Sequence, residues 1–127
     1  MKIDYMAMLK EFHNKYNHHQ SNKPCIPNEL HIRMLRVKLI QEESQEFTNA
    51  AHDNIIEIAD ALADLLYVTF GTALTYGIPI DEVFTEVHRS NMTKSMEKDT
   101  KSIKGKTIKG PNWEPPKIGE ILERYKR

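Results

Sequence analysis

Residues 28–77, NELHIRMLRVKLIQEESQEFTNAAHDNIIEIADALADLLYVTFGTALTYG, hold two apolar helical stripes, and acids interrupt both. In the first half, Ile32, Leu35 and Leu39 recur at spacings of three and four, and Glu43, Glu46 and Ala50 continue the stripe. That period marks one face of an α-helix, so these acids continue the line that should meet the core. In the second half, Glu57, Asp60 and Asp64 are three and four apart, beside Ile56, Ala59, Ala63 and Leu66. Asn28, followed by Glu29, suits the N-cap of a helix running to about Ala51. Asp53 suits the N-cap of the next, which ends at Gly77. The connection is short, so the two helices form an antiparallel pair with Glu43 and Glu46 opposite Glu57 and Asp60.

Acids at helical spacing usually make a solvated face supported by bases one turn on. Here that support is missing. Four positions after Glu42, Glu43 and Glu46 come Glu46, Phe47 and Ala50, and after Glu57, Asp60 and Asp64 come Ala61, Asp64 and Val68. Unpaired carboxylates turned toward a core cost roughly 3–5 kcal/mol each when a buried pair is broken. A divalent cation resolves the conflict, and all-oxygen ligands select Mg²⁺, with Mn²⁺ as the alternative.

The flanking sequence extends the helical pattern. Ile3, Met6, Leu9, Phe12 and Tyr16 predict a first helix over about 2–17, ended by the polar run Asn17–Asn22, with Pro24 and Pro27 keeping the connection extended. Pro79 and Asp81 open a fourth helix whose stripe is Val83, Phe84 and Val87 and whose end carries His88, Asn91 and Lys94 on one face. Beyond it Lys98, Lys101, Lys104, Lys106 and Lys109 crowd a segment leading to Gly110-Pro111-Asn112-Trp113-Glu114-Pro115-Pro116, which reads as a semi-extended arm anchored by Trp113. Ile118, Ile121, Leu122 and Tyr125 mark a short terminal helix. The expected fold is all-α: a single domain over 1–127, an antiparallel bundle of four main helices, with a basic Pro/Gly-containing arm and a short closing helix.

Composition narrows the functions. Eighteen basic residues balance eighteen acidic ones, which argues against a protein that coats duplex nucleic acid. The lysine-rich segment suits a small anion better. Cys25 is the only cysteine, and no apolar run reaches the roughly 20 residues of a membrane span, so a cytoplasmic protein without a membrane partner is expected. Carboxylates on facing helices beside a basic segment suit phosphoryl or nucleotidyl transfer to water.

Glu42-Glu43-Ser44-Gln45-Glu46 followed by Glu57-Ile58-Ala59-Asp60 resembles the EExxE…ExxD pattern of the all-α nucleoside triphosphate pyrophosphohydrolases, the MazG and phosphoribosyl-ATP pyrophosphohydrolase-like superfamily that includes MazG-like dUTPases. EIADALADLLYVTFG (57–71), EVHRSNMTK (86–94) and KGPNWEPP (109–116) extend the resemblance from about Phe12 to Pro116. It implies that Glu43, Glu46, Glu57 and Asp60 hold the metal, that Glu42 is the base for the attacking water, and that Asp64 is a further ligand or an outer partner. It also implies that Arg89, Asn91 and Lys94 contact the triphosphate. Lys109 would close over phosphate from the arm, and Phe12 would stack on a base unless it serves the core. The activity implied is Mg²⁺-dependent cleavage of a nucleoside triphosphate between the α and β phosphates, in house-cleaning or control of nucleotide pools.

Three rivals remain. The substrate could be a phosphoribosyl-nucleotide. His52-Asp53 could belong to an HD-type phosphohydrolase. The chain could be a non-catalytic helical oligomerisation or binding module. Leu65, Val68, Phe70 and Leu74 lie partly off the acidic face and need another surface, so a homodimer or homotetramer is expected.

Overall fold

A computed structural model describes residues 2–96 and 105–127. Among these the regular structure is helical: α1 (Tyr5–Tyr16), α2 (Leu30–Ala50), α3 (Ile55–Tyr76), α4 (Ile80–Asn91) and α5 (Ile118–Tyr125). The only extended pairing among the described residues is one antiparallel bridge, Ser95 with Ile108. The all-α expectation holds, including the short terminal helix. Lys98, Lys101 and Lys104 of the basic segment lie outside the described residues.

The chain forms two compact units, Met1–Ile78 and Pro79–Arg127. In the first, α3 packs against both α1 and α2. It can do so because its inward positions include the small residues Ala61, Gly71, Ala73 and Thr75, all buried together with Leu74. α1 contributes Leu9 and His13, one turn apart, and α2 contributes Arg36. Burying a leucine such as Leu9 is worth roughly 1.5–3 kcal/mol.

Two polar side chains at the centre need explaining, since His13 is 1% exposed and Arg36 5%. The Arg36 guanidinium donates from Nε to Thr72 Oγ1 at 3.0 Å and from Nη2 to the Val68 carbonyl at 3.0 Å. His13 Nδ1 lies 3.3 Å from the His19 carbonyl. A carbonyl only accepts, so Nδ1 keeps the proton when the ring is neutral. Burial, then the Arg36 charge, lower the His13 pKa below its ordinary value. A Cβ on Gly71 would stand 2.7 Å from Arg36 Nη2 and 2.9 Å from His13 Nε2, so this close approach requires a glycine inside the helix.

The segment between α1 and α2 is tied to the end of α3. Ser21 N–H donates to the Leu74 carbonyl, Cys25 N–H to that of Tyr76, and Thr75 Oγ1 to that of His19. Gly77 ends α3 at φ 66°.

Helix boundaries differ from the sequence reading where capping chemistry decided otherwise. Asp4 accepts from Ala7 N–H and starts α1 at Tyr5 instead of residue 2. Glu29, not Asn28, occupies the first position before α2, and its side chain makes no capping bond. Asn54, not Asp53, caps α3, its Oδ1 accepting from the N–H groups of Ile56 and Glu57. The apolar bookkeeping also changes. Leu74 is buried, Leu65 and Val68 are half-buried, and Phe70 stacks on Tyr5 with ring centroids 5.2 Å apart. The exposed large apolar side chains are instead Ile55, Ile56, Leu62, Leu66 and Tyr67 on α3 and Leu30, Met34, Leu35 and Val37 on α2, so Leu35 leaves the core-facing stripe.

In the second unit, α4 packs with α5. Ile121 is the buried residue of α5, as its amphipathic stripe predicts. Glu82 on α4 meets Arg124 at 2.9 Å and also bonds the Tyr125 hydroxyl. Ser90 donates to the Glu114 carbonyl at 2.6 Å, holding the segment before α5.

Candidate metal centre

The antiparallel run of α2 against α3 sets the register of the acids. Arg36 lies opposite Val68 and Thr72. Seven residues further along α2, at Glu43, the opposing stretch of α3 has moved back by about as much, to the neighbourhood of Asp64. Glu43, Glu46 and Asp64 each offer a carboxylate oxygen, and these oxygens lie within 4.8 Å of one another. A cation holding oxygens at roughly 2.0–2.6 Å needs them about that close.

The electrostatics are strained in the way a cation would relieve. Glu43 Oε2 is sealed from solvent and has no hydrogen-bond partner. Burial pushes the Glu43 carboxyl up to about 7, aided by a hydrogen bond with Glu46 and by the charges of Glu46, Asp64 and Glu42. Two carboxylates can share that bond only when one holds a proton, which is why the ionised pair leaves an oxygen without a donor. Burial raises Asp64 as well, with Asp60 and Glu46 adding to the effect. Among the described residues, no ion pair with Lys, Arg or His involves any of the six acids.

The sequence-derived assignments are distributed unevenly about this cluster. Glu43 and Glu46 are in it, and Asp64, given as a further ligand or outer partner, completes the three. Glu57 and Asp60 are not part of the group. Both are exposed on α3, with Asp60 near enough to raise Asp64 and Glu57 in the first turn, where Asn54 accepts its N–H. Glu42 is exposed on α2 next to the cluster and adds to the field on Glu43. His52 and Asp53 are exposed between α2 and α3, and neither joins a metal-capable group among the described residues.

Arg89, Asn91, Lys94 and Lys109 belong to the second unit. Arg89 grips Glu86 through Nε at 2.7 Å and Nη2 at 3.0 Å, and reaches Glu114 at 3.3 Å. Glu86, which also accepts from Lys117 N–H, is held at about 2 by these donors. Asn91 is the last residue of α4 and is exposed. Lys94 lies beyond the helix end and does not continue the His88–Asn91 face, because turns at Ser90 and Asn91 end α4. Lys109 Nζ sits 4.5 Å from the centroid of Trp113. On the first unit, Phe12 lies in an aromatic group, edge-on to Tyr67 at 5.2 Å and stacked on His18 at 5.6 Å.

Arg36 was absent from the sequence reading of the site. Its signal was present: it stands seven residues before Glu43, two turns away on the same stripe of α2.

Fold and site together define an all-α protein with a carboxylate cluster between two antiparallel helices. The family described as phosphoribosyl-ATP pyrophosphohydrolase matches residues 9–91, more than half of the sequence, and the chain belongs to it. It is a member of the MazG-like all-α superfamily. An uncharacterized protein of Acanthamoeba polyphaga mimivirus is 44% identical over 48 residues, which cover 37% of this chain and 19% of that protein. The matched stretch therefore spans about a fifth of the relative's length. Among the described residues, no helix is long and apolar enough to cross a membrane.

Proposed function

We propose that the chain is a Mg²⁺-dependent nucleotide pyrophosphohydrolase, with Mn²⁺ as an alternative metal, that cleaves a nucleoside triphosphate between the α and β phosphates. One observation carries this reading beyond family membership: three carboxylates converge within 4.8 Å, and one of their oxygens is buried with no donor. Glu43, Glu46 and Asp64 would hold the ion, with Asp60 and Glu57 as further ligands on the resemblance. The ion would supply charge neutralisation at the phosphate oxygens. Glu42 is the proton acceptor: it takes a proton from water as the water oxygen bonds to the α phosphorus and the bond from that phosphorus to the bridging oxygen breaks. The products are the nucleoside monophosphate and pyrophosphate. Asn91, Lys94 and Lys109 are proposed phosphate contacts. Arg89 can serve only by exchanging its grip on Glu86 and Glu114 for phosphate.

Membership of the phosphoribosyl-ATP pyrophosphohydrolase family favours a second substrate reading, a phosphoribosyl-nucleotide, which the same acids would accommodate. We place the protein in the cytoplasm as a homodimer or homotetramer, with Leu62 and Leu66 as interface residues because they are half exposed on α3. The decisive assay incubates the chain with canonical and modified nucleoside triphosphates and a phosphoribosyl-nucleotide, with Mg²⁺ or Mn²⁺. Equimolar pyrophosphate and monophosphate are expected. Glu42→Gln should lose on the order of 10²-fold or more in turnover while keeping metal binding. Release of single phosphates, or full activity in Glu42→Gln, would overturn the mechanism.

A further inference from the structure

A cavity of about 520 Å³ opens on the first unit, lined by Asn17, His18, His19, Gln20, His31 and Arg36 among others. Its lining has one arginine and three histidines and no aspartate or glutamate. Arg36 belongs to this lining and is almost wholly buried. Its Nε and Nη2 are used by Thr72 and Val68, but Nη1 donates to nothing among the described residues. Nor is Nη1 sealed in: the only polar side-chain atoms buried without a partner among the described residues are Glu43 Oε2 and Trp113 Nε1. The guanidinium therefore keeps spare donors that face accessible space. No carboxylate pairs with it among the described residues, and a charge removed from water without a counter-charge is unfavourable. A planar guanidinium with free N–H groups matches the geometry of a phosphate. Around it His18 is braced by stacking on Phe12, and His19 Nε2 lies 3.2 Å from Ser21 Oγ. His31 also meets Glu29 at 3.5 Å, a carboxylate outside the lining.

We infer that this cavity is a phosphate-type oxyanion site, separate from the carboxylate cluster and about 10 Å from Glu43 along α2. Two sources share the chemistry: a second phosphate on the far end of a nucleotide substrate, or free inorganic phosphate. The first source rests on the pyrophosphohydrolase reading, whereas anion binding does not.

The test is thermal melting of the whole chain without metal, titrated with inorganic phosphate against sodium chloride of equal ionic strength. Phosphate should raise the Tm by a few degrees as the site fills, and chloride should not. Arg36→Lys and His31→Gln should each weaken the phosphate response about tenfold. His31 is exposed, so its variant keeps the test readable if Arg36→Lys fails to fold. No phosphate-specific shift in the wild type, or a shift that survives both substitutions, overturns the site. With Mg²⁺ present, phosphate that competes against a phosphoribosyl-nucleotide but not against a plain triphosphate shows that substrate supplies the anion. Phosphate that alters both rates alike shows a free-phosphate site. Either result upholds the cavity as an oxyanion site. Failure to hydrolyse any nucleotide sinks the pyrophosphohydrolase reading and leaves the metal-free titration to decide the cavity.

Discussion

Replacing Glu43 with glutamine should stabilise the metal-free protein at alkaline pH and remove its response to Mg²⁺. The Glu43 carboxyl moves from 4.5 to about 7 on folding. A displacement of that size corresponds to about 3 kcal/mol between protonation states. Solvent screening at a half-buried group, together with proton sharing with Glu46, reduces this to about 1–2 kcal/mol. Because the folded value is raised, the stabilisation is present below 4.5 and is lost as pH rises through 7. The metal-free wild type should therefore lose on the order of 5 °C of Tm from this group between about pH 5 and 8, at roughly 3–6 °C per kcal/mol for a chain of this size. Subtracting the Glu43→Gln melting curve from the wild-type curve at each pH isolates the effect. Mg²⁺ at pH 8 should restore the wild-type Tm, worth roughly 2.7 kcal/mol at a hundredfold excess over Kd, and leave Glu43→Gln unmoved. A variant that melts below wild type at pH 8 without metal, or that keeps the full Mg²⁺ response, refutes both the strain and the ligand assignment.

Three further outcomes follow from the same packing. Burial and Arg36 lower His13 from its ordinary 6.5, so its contribution is present above that value and is lost as pH falls. In the Glu43→Gln background the Tm should accordingly drop on acidification from pH 7 to 5, with the His13 ring titrating below 6.5 by NMR; titration above 6.5 would contradict the burial. Gly71→Ala should destabilise by about 1–3 kcal/mol in denaturant unfolding, since the new methyl would press on Arg36 and His13, and wild-type stability would show that the three helices are looser than described. Leu62→Lys with Leu66→Lys should convert an oligomer to monomer by light scattering while the far-ultraviolet circular dichroism is kept; an unchanged mass would remove these residues from the interface.

The helices were legible because their signals are local and repeated. A three-to-four apolar period over 21 and 22 residues, as in α2 and α3, leaves little choice of secondary structure. Caps were harder to assign, because adjacent polar residues compete. Asp53 and Asn54 offer similar oxygens, and the winner depends on which one reaches the N–H groups of Ile56 and Glu57. The carboxylates were legible as a group, but their partition was not. Spacing places Glu57, Asp60 and Asp64 on one side of α3, and only the register against α2 gathers Asp64 with Glu43 and Glu46. Lys94 shows the opposite error: the pattern continued past Asn91 while the helix did not.

The interface between α2 and α3 carries charges of both signs on one stripe, and the two are satisfied differently. Arg36 is satisfied in part by the fold, because a threonine hydroxyl and a helix carbonyl accept protons from its Nε and Nη2. Glu43 has no such solution. Within a helix the backbone N–H groups are already used, so a carboxylate turned toward a neighbouring helix finds donors only on side chains. Near Glu43 the facing charged side chain is another acid, Asp64. The unsatisfied need is therefore for positive charge from outside the helix pair. A sequence reading finds that need by noticing acids where apolar residues belong. It overlooks Arg36 because a single basic residue on an apolar stripe looks like a snorkelling surface side chain until its depth is known.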